Sequence, residues 1–168
     1  EVYDESRNLN IQNWHTAYED FEQNPYWITN RIQTKEVRMH AIVSLSANLQ
    51  VNDWLTVQAR GNVDCIDDKV RQKFYASTAP ALAGANGRYL EMDYQDLQFY
   101  GDLMLMMKKK WGDFSVNGAF GGSITDKTTN STRYDSKTAS LYYANVFTLA
   151  NIIMNGSAAL DQKIDSHR

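Results

Sequence analysis

The residues able to do chemistry are few and poorly grouped. His15, His40 and His167 are the three histidines, and none stands at a His-x-x-x-His or similar ligand spacing. Asp67-Asp68 and Glu19-Asp20 are adjacent carboxylates, but neighbours on an extended chain point apart and form no acid/base pair. Solvated loop positions are expected for both. Cys65 is the single cysteine, which excludes an internal disulfide or a CxxC metal knuckle. Its place on the apolar side of an alternating segment predicts a small buried thiol. No GxSxG, P-loop or nucleotide-binding glycine pattern occurs. Neither an enzyme nor a cofactor is expected. What remains is aromatic: Trp14, Tyr18, Phe21, Tyr26, Trp27, Tyr75, Tyr89, Tyr142, Tyr143 and Phe147 all fall in segments that read as loops. Ring faces with polar neighbours stack on sugars or peptides, and they also pack on one another to order a long loop. Tyr26, Trp27, Tyr89, Tyr142 and Tyr143 are the candidate contact residues.

The elements that must carry these loops are strands. Over residues 37–52 every odd position is apolar (Val37, Met39, Ala41, Val43, Leu45, Ala47, Leu49, Val51), and every even position except Ile42 is polar. Successive strand side chains face opposite sides, so one side meets an apolar phase and the other meets water. Soluble strands run about 5–6 residues, whereas a strand tilted through a bilayer needs about 9–11 and often continues beyond it. Residues 54–66 repeat the pattern with Leu55, Val57, Ala59, Gly61, Val63 and Cys65 on one face. So do residues 94–110, with Leu97, Phe99, Gly101, Leu103, Leu105 and Met107 outward, and residues 114–125, with Phe114, Val116, Gly118, Phe120, Gly122 and Ile124 outward. A further strand is expected after Asn155-Gly156. Tight turns at Asn52-Asp53 and Trp111-Gly112-Asp113 alternate with long connections, the arrangement of an outer-membrane barrel. Trp54, Trp111 and Phe114 flank the tight turns, where amphipathic rings form a membrane-interface girdle. Lys108-Lys109-Lys110 is expected to be an interfacial anchor or a solvated edge.

Composition sets the limits. The chain has 168 residues, 17 basic and 20 acidic, for a net charge of -3, and it shows no basic stripe for nucleic acid. No apolar run approaches the 18 or more residues of a transmembrane helix. A barrel wall remains allowed, because lipid-facing and lumen-facing residues average to a hydrophilic mixture. The sequence begins at Glu1 without methionine and ends at Arg168 as a strand starts, which leads us to expect a piece of a longer polypeptide.

Several stretches resemble one family. Asn24-Pro25-Tyr26-Trp27-Ile28 with Asn30-Arg31, and Asp53-Trp54-Leu55-Thr56-Val57-Gln58-Ala59-Arg60-Gly61, are similar to segments of the SusC/RagA family of TonB-dependent outer-membrane transporters. So are Tyr100-Gly101-Asp102-Leu103, Trp111-Gly112-Asp113-Phe114-Ser115, Gly121-Gly122-Ser123-Ile124 and Leu141-Tyr142-Tyr143-Ala144-Asn145-Val146-Phe147. The resemblance implies an all-β fold whose long antiparallel hairpins form part of a 22-stranded transmembrane β-barrel with long extracellular loops. It implies import of glycans or peptides across the Gram-negative outer membrane of a Bacteroidetes-type bacterium. The implied partners are a SusD-like surface lipoprotein, TonB (through regions not present here), the substrate and outer-membrane lipid. The implied layout is an extracellular loop segment over 1–36 and two barrel hairpins over 37–126 with an extracellular loop at 67–93. A second loop over 127–155 and the start of a further strand over 156–168 follow. In that setting Asn130-Ser131-Thr132 carries no glycosylation meaning. The alternative expectation is a soluble antiparallel barrel or sandwich binding a small apolar ligand, which needs about eight strands of modest length.

Overall fold

A computed structural model describes residues 1–14, 22–154 and 159–167. His15, Tyr18, Glu19, Asp20, Phe21 and the Asn155-Gly156 turn lie outside the described residues, as does the side chain of His167. The described elements are β1 (Val2–Asp4), β2 (Leu9–Ile11), α1 (Pro25–Arg31), β3 (Ile32–Asn52), β4 (Leu55–Phe74), β5 (Arg88–Trp111) and β6 (Phe114–Asp135). A 3-10 turn at Lys137–Ala139, α2 (Leu149–Met154) and β7 (Ala159–His167) follow. β1 and β2 form a small antiparallel pair, and the rest form one sheet in the order β3-β4-β5-β6-β7. The chain is mostly β, with long antiparallel strands, and the described residues form no closed barrel.

The chain divides into two compact units. The first comprises Glu1–Arg38, Asp68–Tyr94 and Ser131–Lys163; the second comprises Met39–Asp67, Gln95–Asn130 and Ile164–Arg168.

Among the described residues, all the buried ones lie in the first unit. Trp27, Ala76, Ala79, Ala83, Tyr89, Leu90, Leu141 and Ile152 are its buried apolar groups, with Phe147 and Leu149 packed on the Tyr89–Leu141–Ile152 cluster. Helix α1 starts where Asn24 accepts the Tyr26 N–H at 2.9 Å and Pro25 fills the first turn, whose N–H would have no partner. This one-sided helix seats Trp27 and leaves Tyr26 outside. Gly87, at φ +99°, turns the chain into β5; a β-carbon there would fall 2.5 Å from the Phe74 carbonyl.

The second unit is a single layer. None of its described residues is buried, and many of its apolar side chains lie open, including Leu45 at 76% exposure and Val43 at 67%. Gly121 lets β6 approach β5, since a β-carbon there would sit 2.7 Å from the Leu103 carbonyl oxygen. Gly118 and Gly122 face open space, so close packing does not account for them.

Four expectations change. First, the strands run longer than their alternation: β3 has 21 residues, which at about 3.3 Å each reach about 70 Å. Pairing continues past the apolar pattern because cross-strand ion pairs replace it, Arg71 with Glu91 at 3.0 Å and Arg38 with Asp68 at 2.6 Å. The connections shrink accordingly, to 75–87 after β4, and β6 extends to Asp135. Second, residues 1–36 contain β1, β2, α1 and the start of β3 instead of a plain loop. Third, Asp67-Asp68 lies within β4, and Asp68 is buried against Arg38. Fourth, Cys65 is exposed, because among the described residues no second layer covers the face on which it stands.

Candidate contact surfaces

Three surfaces emerge: an apolar sheet face, a polar sheet face and a set of loop aromatics.

The apolar face belongs to the second unit and carries Met39, Val43, Leu45, Leu49, Val63, Leu103, Val116, Phe120 and Ile124, all exposed. Contiguous apolar area on this scale marks a surface that meets protein or membrane. Near the two-residue turns stand Trp54, Trp111 and Phe114, also exposed. The structure brings the first two together around one lysine: the Lys109 ammonium is 5.2 Å from the Trp54 ring centre and 5.1 Å from that of Trp111. The girdle expectation therefore gains a cation that spacing alone did not pair with any particular ring.

On the other face the polar side chains answer one another across strands. His40 Nε2 lies 2.7 Å from Asp64 Oδ1, and the Ser44 hydroxyl donates to Asn62 at 2.8 Å. Arg60 donates to both Asp102 oxygens at about 3.0 Å, and the Tyr100 hydroxyl donates to the same carboxylate at 2.8 Å. Asp96 takes Thr129 at 2.8 Å and Lys127 at 3.0 Å. Such opposite-charge and hydroxyl pairs each add a few tenths of a kcal/mol to about 1 kcal/mol and fix the strand register. The His40 position agrees with its reading as a polar-face residue. Among the described residues no cluster of three or more histidine, cysteine or acidic side chains has metal-holding geometry.

The loop aromatics split into two groups. Trp27 is 2% exposed, and its indole N–H donates to Thr78 Oγ1 at 3.1 Å. Tyr89 is 5% exposed in the Leu141–Ile152 cluster, and its hydroxyl donates to Glu91 at 2.9 Å. Burial, together with the Glu91 carboxylate, pushes the Tyr89 phenol up to about 12. These two candidate contact residues are packing groups, because each ring completes a small core that has few other large side chains. Arg31 lies over Tyr75 at 5.0 Å and Trp27 at 5.9 Å while gripping Glu1 through two bonds of 2.6 and 2.7 Å. Its guanidinium rises in pKa chiefly through that carboxylate bond, against the opposing effect of burial.

Tyr26, Tyr142 and Tyr143 remain outside, Tyr26 at 81% exposure. Tyr142 and Tyr143 meet edge to face, with ring centres 4.7 Å apart. Sequence reasoning missed what holds them. The buried Asn151 side chain accepts the Tyr143 N–H at 2.8 Å and donates to the carbonyls of Tyr143 at 2.8 Å and Val146 at 2.6 Å. Asn86 donates to the carbonyls of Leu141 at 2.9 Å and Tyr142 at 3.2 Å. A buried amide that spends its donors and acceptor on a loop backbone rigidifies it. An asparagine in an apolar helical stretch gives no advance sign of this.

No protein-family model matches the chain, and no curated protein matches it.

Proposed function

We propose that this chain is a wall segment of a transmembrane β-barrel of the TonB-dependent importer type, similar to SusC/RagA transporters, with its loops turned to the outside of a Gram-negative cell. One observation carries the reading: the second unit is an ordered sheet with an apolar face and no buried residue among those described. Water does not stabilise such a face, whereas hydrocarbon tails do. The soluble-barrel alternative calls for a covering layer, yet Met39 and Leu45 are exposed and Val57 and Leu105 only half-buried. The membrane-crossing stretches are 39–52, 55–67, 95–111 and 114–130. The first unit, with its exposed tyrosines, meets the imported glycan or peptide and a surface lipoprotein. The outer edge of β3 has no strand beside it among the described residues and takes one from elsewhere in a longer polypeptide or from another copy.

The test is trypsin digestion of vesicle-reconstituted chain. Arg60, in a crossing stretch, should resist cleavage, while Arg7 and Lys137, both exposed in the first unit, should be cut. Cleavage at Arg60 as fast as at Lys137 would contradict the proposal.

A further inference from the structure

We infer that Trp54, Lys109 and Trp111 form a site for the phosphate-bearing headgroup of a membrane lipid. This inference rests on the membrane reading above and names a lipid contact that the reading does not require. Lys109 stands on the apolar face, in line with Met107 and Trp111, where a charge is costly unless it lies at the bilayer boundary. The two-residue turns at 53–54 and 112–113 put it at that boundary. Two indole faces hold its ammonium at 5.2 and 5.1 Å, which fixes the side chain without neutralising it. Beside it lies an apolar hollow of about 220 Å³ lined by Trp54, Met107, Lys109, Trp111, Val116 and Gly118. The missing side chain at Gly118 leaves open space there. An apolar trough topped by a fixed cation matches a lipid end-on: the upper acyl segment in the trough, the phosphate at the ammonium. The Lys109 ammonium calls for an anionic group and not the ammonium of a peptide, while Lys108 and Lys110 stand on the opposite face of β5 and take no part.

The experiment reconstitutes the chain in phosphatidylcholine vesicles doped with one of two quenchers brominated near the headgroup. One is a dibrominated phosphatidic acid, and the other is the matching dibrominated diacylglycerol, which lacks the phosphate. Tryptophan quenching should favour the phosphatidic acid about fivefold, the size expected for one lysine at a membrane surface. Lys109→Gln should erase that preference, and Lys109→Arg should keep it. A preference unchanged in Lys109→Gln, or absent in the wild type while both lipids still quench, would overturn the headgroup site and leave the membrane reading standing. No quenching by either lipid would overturn both.

Discussion

Val43→Arg is expected to prevent stable insertion of the chain, whereas Ser44→Arg one residue away should be tolerated. Val43 is on the open apolar face, and near the bilayer midplane an arginine there costs about 2–4 kcal/mol. Ser44 is on the polar face, where its hydroxyl donates to Asn62 at 2.8 Å. Losing that bond costs about 1 kcal/mol, and the new guanidinium stays on the polar, water-facing side. Urea titration of vesicle-reconstituted variants reads the difference directly. Equal shifts for the two substitutions would mean that the faces are wrongly assigned.

The second large effect is expected in the first unit, at Asp135. This carboxylate is 1% exposed and is gripped by Arg88 through bonds of 2.8 and 2.7 Å, by Arg133 at 2.7 Å and by the Lys137 N–H at 2.8 Å. Burial pushes its pKa up. The Arg88 and Lys137 hydrogen bonds and the charges of Arg88 and Arg133 outweigh burial and hold it below the ordinary carboxylate value. A lowered folded-state pKa contributes stability that is present above the unfolded value, near 3.9, and is lost as pH falls through the folded one. Asp135→Asn leaves Arg88 half-enclosed without its counter-charge. It should destabilise this unit by about 2–3 kcal/mol at pH 7, somewhat below the range for fully buried pairs because Arg133 is partly solvated. The same variant should lose much of the wild type's decline in stability below about pH 4. Chemical denaturation followed by near-ultraviolet circular dichroism at pH 7 and pH 3 measures both effects. An acid limb as steep in the variant as in the wild type would show that the carboxylate is not the titrating group.

The alternation over 37–52 places the greater part of β3 and its faces, because a period of two needs no tertiary information, but not its start at Ile32. The second half of β4 was not legible in this way. Asp67, Asp68, Lys69, Arg71 and Lys73 look like a solvated loop until Arg38 and Glu91 are seen beside them, and those partners are distant in sequence. Aromatic residues identified the loops as important but could not show which rings face outward. Trp27 and Tyr89 are buried through contacts with Thr78, Leu141 and Ile152, while Tyr26, next to Trp27, projects because a helix turns neighbouring residues to different sides. Alternation puts Cys65 on the apolar face but does not bury it, since burial needs a second layer that local sequence does not encode. The Asn151 bonds were invisible for the same reason: their partners are backbone atoms of a loop whose path only folding defines.

The most direct measurement is a nitroxide scan of residues 39–50 in the vesicle-reconstituted chain, reading collision with oxygen against collision with a water-soluble nickel chelate. Oxygen access should peak at the odd positions and nickel access at the even ones, alternating residue by residue. Odd positions shielded from both reagents would place a protein layer over that face and contradict the account.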